Sequence, residues 1–318
     1  MPPLPTTPAA LIARLLAADR RAIADVLTRL ERQTPDARKL IAELVPHLGK
    51  AFVAGVTGPP GAGKSTLVNA LIGEARAAGH RVAVLAVDPS SPVSGGAILG
   101  DRIRMTAAHD DDGVLVRSLG SRGALGGLTP AAVRMIDALD AAGFGLILLE
   151  TVGTGQSEVD VAEIADIVMV VSAPGLGDGI QAMKAGLLEI ADILVVNKAD
   201  RDGANRTAEE LRAALALRAT PGDVPVLRTS AATGAGVPAL WVEVAARGAA
   251  RKAERLSVRR RRRARYLIAR AASELIARRI RHGDATIDAL ADAVLAGETA
   301  PTDAAVRLIG SLDETPTS

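Results

Sequence analysis

The chain has 318 residues, 48% of them hydrophobic, enough for a full core with smaller appendages, and its formal net charge is only +2. It contains no cysteine, which excludes disulfides and thiolate metal sites, and no apolar run approaches the ~20 residues of a membrane-spanning helix. Two Phe, one Trp and one Tyr supply no aromatic platform for base stacking, which argues against a nucleic-acid binder, and residues 1–8 carry no basic-then-apolar leader pattern, so the expectation is a soluble, cytoplasmic protein.

In chain order, residues 11–32 place Leu11, Leu15, Ile23, Val26, Leu27 and Leu30 at helical spacing, and residues 37–45 give another helix stopped near Pro46. Residues 1–46 are therefore expected to form a helical extension that packs outside the main domain and carries no chemistry of its own. From residue 51 the pattern alternates. Apolar runs at 51–56, 82–87, 113–116, 146–149, 167–171, 193–196 and 224–227 read as strands, with helical patterns between most of them. Such alternation predicts an α/β fold, a mainly parallel sheet covered by helices on both faces. From Arg251 the strand patterns stop. Arg259 to Arg263 is an unbroken basic run, read as a solvated helix face, and Tyr266, Leu267, Ile268, Ala271, Leu275, Ile276 and Ile280 follow at helical spacing. Residues 284–295 give a further amphipathic helix, and the tail from Gly310 reads as polar and frayed. The expected organisation is a helical extension at 1–46, a main α/β domain at 47–250 and a helical arm at 251–318 suited to self-association.

The first apolar run leads into Gly58-Pro59-Pro60-Gly61-Ala62-Gly63-Lys64-Ser65-Thr66, followed by a helical pattern. This is the phosphate-binding loop in its strand-loop-helix setting. Glycines let the main chain approach an anion, successive N–H groups point at phosphate oxygens, and the helix N-terminus adds positive potential. Lys64 reaches the outer phosphates and the Ser65 hydroxyl is placed for Mg²⁺. After the strand at 193–196 comes Asn197-Lys198-Ala199-Asp200, the guanine selector of GTPases. The Asp200 carboxylate accepts from guanine's ring N–H and exocyclic amine, a donor pair adenine lacks. The Lys198 stem covers the base, Asn197 ties neighbouring loops, and the stretch Thr229-Ser230-Ala231-Ala232 after the last strand offers backbone N–H to the guanine carbonyl.

Asp88 and Glu150 end strands near the phosphates and are metal candidates, with Asp101 a third; at Asp88 a helix-cap role fits the spacing equally well. Ras-like GTPases place a glutamine four positions after their strand-end acid, and here that position is Thr154, so the arrangement does not transfer. Gly153 can donate its N–H to the γ-phosphate, Gln156 lies further along, and Asp178 and Lys184 follow a glycine-rich segment and are candidates to complete the site. His109-Asp110-Asp111-Asp112 cannot converge on one ion and reads as a solvated loop.

Beyond these shared motifs, Leu99-Gly100-Asp101-Arg102, Ser121-Arg122-Gly123-Ala124-Leu125-Gly126-Gly127 and Glu150-Thr151-Val152-Gly153-Thr154-Gly155-Gln156-Ser157-Glu158 are more specific. With them the chain resembles the MeaB/ArgK/MMAA GTPases over nearly its whole length. The resemblance implies a GTP/GDP-binding chaperone that gates adenosylcobalamin loading and protects an acyl-CoA mutase, chiefly methylmalonyl-CoA mutase. It implies Mg²⁺ handling by Ser65, Asp88, Asp101 and Glu150, a homodimer built on the C-terminal arm, and a further switch near Asp178 to Lys184. Three other readings stand beside it: a protein kinase of the ArgK transport type, a metallochaperone GTPase, and an RNA-binding protein using Arg259 to Arg263. The absence of cysteine and the wide spread of the four histidines weigh against the metallochaperone.

Overall fold

The computed structural model describes residues 7–88, 111–120, 128–151, 157–176, 186–217, 223–252 and 256–311. Three helices, α1 (Pro8–Leu16), α2 (Arg20–Arg32) and α3 (Ala37–Leu44), precede the first strand. The sheet then forms from β1 (Phe52–Thr57), β2 (Val82–Asp88), β3 (Val114–Gly120), β4 (Leu146–Thr151), β5 (Ile167–Ser172), β6 (Ile193–Val196) and β7 (Val226–Arg228). Its connecting helices are α4 (Lys64–Ala77), α5 (Pro130–Ala141), α6 (Ser157–Ile164), the short α7 (Leu187–Ile190) and α8 (Ala204–Ala216), followed by α9 (Val237–Lys252). The strand order is β3-β2-β4-β1-β5-β6-β7 and every pairing is parallel. The expected parallel α/β sheet is what forms.

Strand alternation explains the two covered faces. Phe52, Ala54 and Val56 of β1 join Val82, Val84, Leu146, Leu148, Met169 and Val195 in one core with Leu67, Leu71 and Ile72 of α4 and Leu240 and Val244 of α9. The alternate residue Gly55 faces α6, where a Cβ would stand 2.5 Å from Val161 Cγ2, so the helix lies directly on the strand backbone. α2 and α3 pack on α5 and form a further helical layer over the sheet. Arg117 of β3 ties that layer down by donating to Glu31 Oε2 at 2.6 Å.

At the N-terminal ends of the strands, carboxylates are consumed by backbone. Asp140 accepts from the N–H groups of Gly49, Lys50 and Ala51, which fixes the entry to β1. Asp166, just before β5, accepts from Val53 N–H at 2.8 Å, and Asp192, just before β6, accepts from Val168 N–H at 2.8 Å. Each thereby locks its own strand to the neighbouring one.

The helical segment after the sheet comprises α10 (Leu256–His282), α11 (Ala285–Leu295) and α12 (Pro301–Gly310). The chain divides into two compact units, Met1–Arg263 and Ala264–Ser318. The basic run corrects the expectation of a solvated face in part: Arg260 and Arg261 are exposed, but Arg259, Arg262 and Arg263 turn inward. Arg259 is 5% exposed, and its guanidinium pairs with both Asp166 oxygens while also donating to Ala51 O at 3.0 Å. Arg262 donates to Ala165 O at 2.5 Å and Arg263 to Ile164 O at 2.8 Å, which satisfies carbonyls at the end of α6. Helix α12 was also unexpected; Pro301 at its first position starts it, in a stretch adjoining the polar tail.

Removing one partner of a buried ion pair strands the other in low dielectric. Asp166→Asn is expected to lower the unfolding free energy by about 3–5 kcal/mol, read as a fall in the urea midpoint at constant slope. A loss under about 1 kcal/mol would show that the Arg259 clamp contributes nothing beyond a surface pair.

Candidate functional site

The strands of a parallel sheet point their C-terminal ends at one edge, and ligands of such folds bind there. β1 delivers residues 58–63 to that edge and α4 begins at Lys64. The glycines do distinct work. Gly58 has φ +136°, and a Cβ there would lie 2.1 Å from Val171 O, so no side chain can occupy the position. Gly63 has φ +86°, and its Cβ would meet Asn197 Nδ2 at 2.5 Å. Gly61, at φ +79°, faces open space. The loop is thus pressed against β5 and β6 at two points and open at its crest, the shape of an anion cradle.

Lys64 is 7% exposed and donates to Gly58 O at 2.7 Å and Pro59 O at 3.1 Å, folding back over the loop it serves. The Ser65 hydroxyl donates to Glu150 Oε1 at 2.6 Å. Glu150 sits opposite Val56 on one side and Ala86 on the other, at the C-terminal end of β4 between β1 and β2. Asp88 ends β2 opposite Gly120. Asp101, Gly153, Gln156, Asp178 and Lys184 lie outside the described residues.

The second half of the site hangs from β6. Asn197 is 1% exposed and makes hydrogen bonds in two directions. Its Nδ2 donates to Ala62 O at 3.0 Å and Gly63 O at 3.3 Å, while its Oδ1 accepts from Ala231 N–H at 3.1 Å and Thr229 Oγ1 at 3.3 Å. Lys198 adopts the left-handed φ of +57° and donates its Nζ to Gly61 O at 2.6 Å. Asp200 is exposed, and its Oδ1 accepts from the Ser230 hydroxyl at 2.5 Å. That hydroxyl, first among the causes, holds the Asp200 carboxyl below the usual carboxylate range, so it is anionic at neutral pH. Ala231 is half-buried and Ala232 exposed on the same turn. The turn is closed by the Ser230–Ala235 bridge and by Gly236, at φ +75°, where a Cβ would stand 2.1 Å from Arg228 O.

Residues 58–66, 197–200 and 229–232 are therefore brought together at one sheet edge, with Ser65 and Glu150 in direct contact. Two supporting residues went unnoticed in the sequence. The buried Thr151 hydroxyl donates to Thr57 Oγ1 at 2.9 Å, pinning β4 to β1 one residue before Gly58. A polar residue closing an otherwise apolar strand was the available signal. The acidic stretch ending at Asp112 is structural where it is described: Asp111 pairs with Arg76 and accepts from Gly113 N–H at 2.7 Å.

Comparison with known proteins agrees with this geometry. The family model "Methylmalonyl Co-A mutase-associated GTPase MeaB" matches residues 20–284. A Pyrococcus horikoshii protein carrying a GTPase name is 51% identical over 239 residues, covering 74% of this chain and 75% of its own length. The methylmalonic aciduria type A homolog, mitochondrial, of Mus musculus is 36% identical over 247 residues, covering 71% of this chain and 60% of that protein. A crystal structure described as an LAO/AO transport system kinase superposes with a TM-score of 0.75 at 25% identity, covering 98% of this chain and 100% of that one. With residues 58–63 and 229–231 tied together through Asn197, the chain belongs to the methylmalonyl-CoA mutase-associated GTPase MeaB family and is a guanine-nucleotide-binding P-loop GTPase.

Proposed function

We propose that the chain couples GTP hydrolysis to adenosylcobalamin loading and protection of an acyl-CoA mutase, most directly methylmalonyl-CoA mutase, and that it works as a homodimer in the cytoplasm. The family description and the name of the mouse relative support the client. Among the described residues no helix is long and apolar enough to cross a membrane. The observation that carries the nucleotide chemistry is the double tie of Asn197, which joins the phosphate cradle to the loop that meets the base.

In this reading Gly58, Pro59, Pro60, Gly61, Ala62, Gly63 and Thr66 surround the phosphates with main-chain donors. Lys64 exchanges the carbonyls of Gly58 and Pro59 for phosphate oxygens, trading neutral acceptors for charged ones. Asp200 exchanges the Ser230 hydroxyl for the guanine N–H pair, and Ala231 and Ala232 face the base carbonyl. Ser65 and Glu150 present hard oxygen donors 2.6 Å apart, a pairing that fits Mg²⁺, with Asp88 at the neighbouring strand end and Asp101 as further oxygen ligands. Bound there, Mg²⁺ supplies positive charge to the phosphates. On their sequence positions alone, Gly153 is assigned an N–H to the γ-phosphate, Gln156 or Lys184 the orientation of the attacking water, and Asp178 a place in completing the site. In the C-terminal unit, Ile268, Leu275 and Ile280 are more than half exposed, apolar surface that a second copy of the arm would cover.

Asp200→Asn removes an acceptor of two charge-assisted hydrogen bonds worth roughly 1.5–3 kcal/mol each, so GTP affinity should fall by about a hundredfold or more. The same variant should gain affinity for xanthosine triphosphate, whose base presents a carbonyl to the new amide. A uniform loss for both nucleotides in calorimetry would mean the side chain only supports the loop. Ser65→Ala is expected to erase the Mg²⁺-dependent part of GTP affinity and turnover while leaving metal-free GDP binding close to wild type; unchanged metal dependence would remove Ser65 from the ligand set.

The client is tested by incubating the protein with the apo-mutase and following adenosylcobalamin transfer in GTP, GDP and a non-hydrolysable analogue. Transfer should require hydrolysis, and rates indifferent to the nucleotide would discard the gating role. A labelled-GTP assay on candidate protein acceptors separates this reading from the transport-kinase description of the similar structure.

A further inference from the structure

At the sheet edge opposite the phosphate loop, three guanidinium groups line one cleft of about 540 Å³. Arg20 opens α2, Arg76 lies in the last turn of α4, and Arg81 immediately precedes β2; Asp112 and Gly113, just before β3, complete the wall.

Two of the three arginines have acidic partners. Arg76 pairs with Asp111 through Nε at 2.7 Å and Nη2 at 2.9 Å, and donates Nη1 to His80 O at 2.7 Å. Gly113 makes room for it, since a Cβ there would stand 2.2 Å from the Arg76 guanidinium carbon. Arg20 donates to the carbonyls of Asp111 and Val114 and to Asp112 Oδ1 at 3.1 Å, but the Asp112 side chain is fully exposed and easily exchanged.

Arg81 is different. It donates Nη1 to Ala142 O at 2.7 Å, and its guanidinium carbon lies 4.5 Å from the Phe144 ring centroid. No carboxylate pairs with it among the described residues. Burial, then the charges of Arg76 and Arg20, push its pKa below the ordinary arginine value. A half-buried cation beside two others, with donors to spare and no acid of its own among the described residues, is an arrangement that an incoming anion relieves.

We propose that this cleft binds a phosphate-type oxyanion, held by the free donors of Arg81 and by Arg20, with Arg76 adding charge from its place beside Asp111. Arg20 exchanges exposed Asp112 for the anion. With Asp112 turned away, Asp111 is the remaining carboxylate beside the three cations among the described residues, a surplus that suits a dianion better than a monocarboxylate. The planar guanidinium fork of Arg81 matches an edge of a tetrahedral oxyanion. This site is independent of the nucleotide pocket, since none of its residues contributes to the phosphate loop or the base loop.

The test uses the full chain saturated with GDP and Mg²⁺, so that the phosphate loop is filled, titrated calorimetrically with inorganic phosphate and with glycerol 3-phosphate. One further site is expected, with a Kd at or below about 1 mM. Tighter binding of inorganic phosphate assigns the free ion, and tighter binding of the ester assigns a phosphoryl group of a larger molecule. Arg81→Gln and Arg20→Gln should each weaken binding at least about tenfold, whereas Asp112→Asn should strengthen it severalfold, all with GDP affinity unchanged. Arg20 and Asp112 are on the surface, so those two variants carry the test if Arg81→Gln does not fold. Absence of binding of either compound up to about ten times that concentration, or affinities that ignore both surface variants, would overturn the proposal.

Discussion

The site depends on Asn197. From the end of β6 its carboxamide spends both polar ends on other segments, the amide on the carbonyls of Ala62 and Gly63 and the oxygen on Ala231 N–H and the Thr229 hydroxyl. These segments are separated by more than a hundred residues of chain, yet one buried side chain sets their spacing. In the proposed function this spacing matters, because a nucleotide has a fixed distance from base to phosphate and a pocket meeting both must hold its two loops at a fixed distance before the nucleotide arrives. No backbone pairing does this, because the two loops leave the sheet from different strands. Gly63 completes the fit, for any side chain there would collide with the Asn197 amide.

The two edges of the sheet use carboxylates in opposite ways. At the N-terminal edge Asp140, Asp166 and Asp192 accept backbone N–H groups, and Asp166 also holds a buried guanidinium. Their charge is committed to the fold. At the C-terminal edge Asp200 takes a serine hydroxyl and Glu150 takes another, and neutral hydroxyls are partners that a charged or multiply donating ligand displaces readily. In the proposed function the carboxylates of this second edge turn to the ligand, whereas those of the first are committed to the backbone.

Much of this was legible in the sequence. Most of the seven strands are short apolar runs, and residues 58–66 and 197–200, singled out by their spacing, stand at one sheet edge because both stretches follow strands of a parallel sheet. β3 extends to Gly120, beyond the expected 113–116, because this edge strand is half-exposed through Arg117 and Ser118 and its apolar run breaks early. The sheet order was not legible, since crossovers depend on packing between distant segments. The Arg259 clamp was hidden for the same reason. Periodicity registers five adjacent arginines as a hydrophilic face, whereas the partner that buries the first of them stands 93 positions earlier in the chain. Asn197 could be anticipated as a tie, but the close approach of Gly58 to Val171 and the Thr57–Thr151 contact could not.

The root of α10 bears on where an autonomous G-domain ends. Arg259 reaches the backbone oxygen that precedes β1 and the carboxylate that grips the strand's second residue, so the start of the C-terminal helix is wired to the strand that carries the phosphate loop. A shortened chain that stopped with the last sheet-covering helix would retain every nucleotide-facing motif and still expose an uncompensated negative charge inside its own core. The minimal catalytic fragment therefore extends through the first turns of α10, whose arginines at 259, 262 and 263 belong to the same compact unit as the sheet.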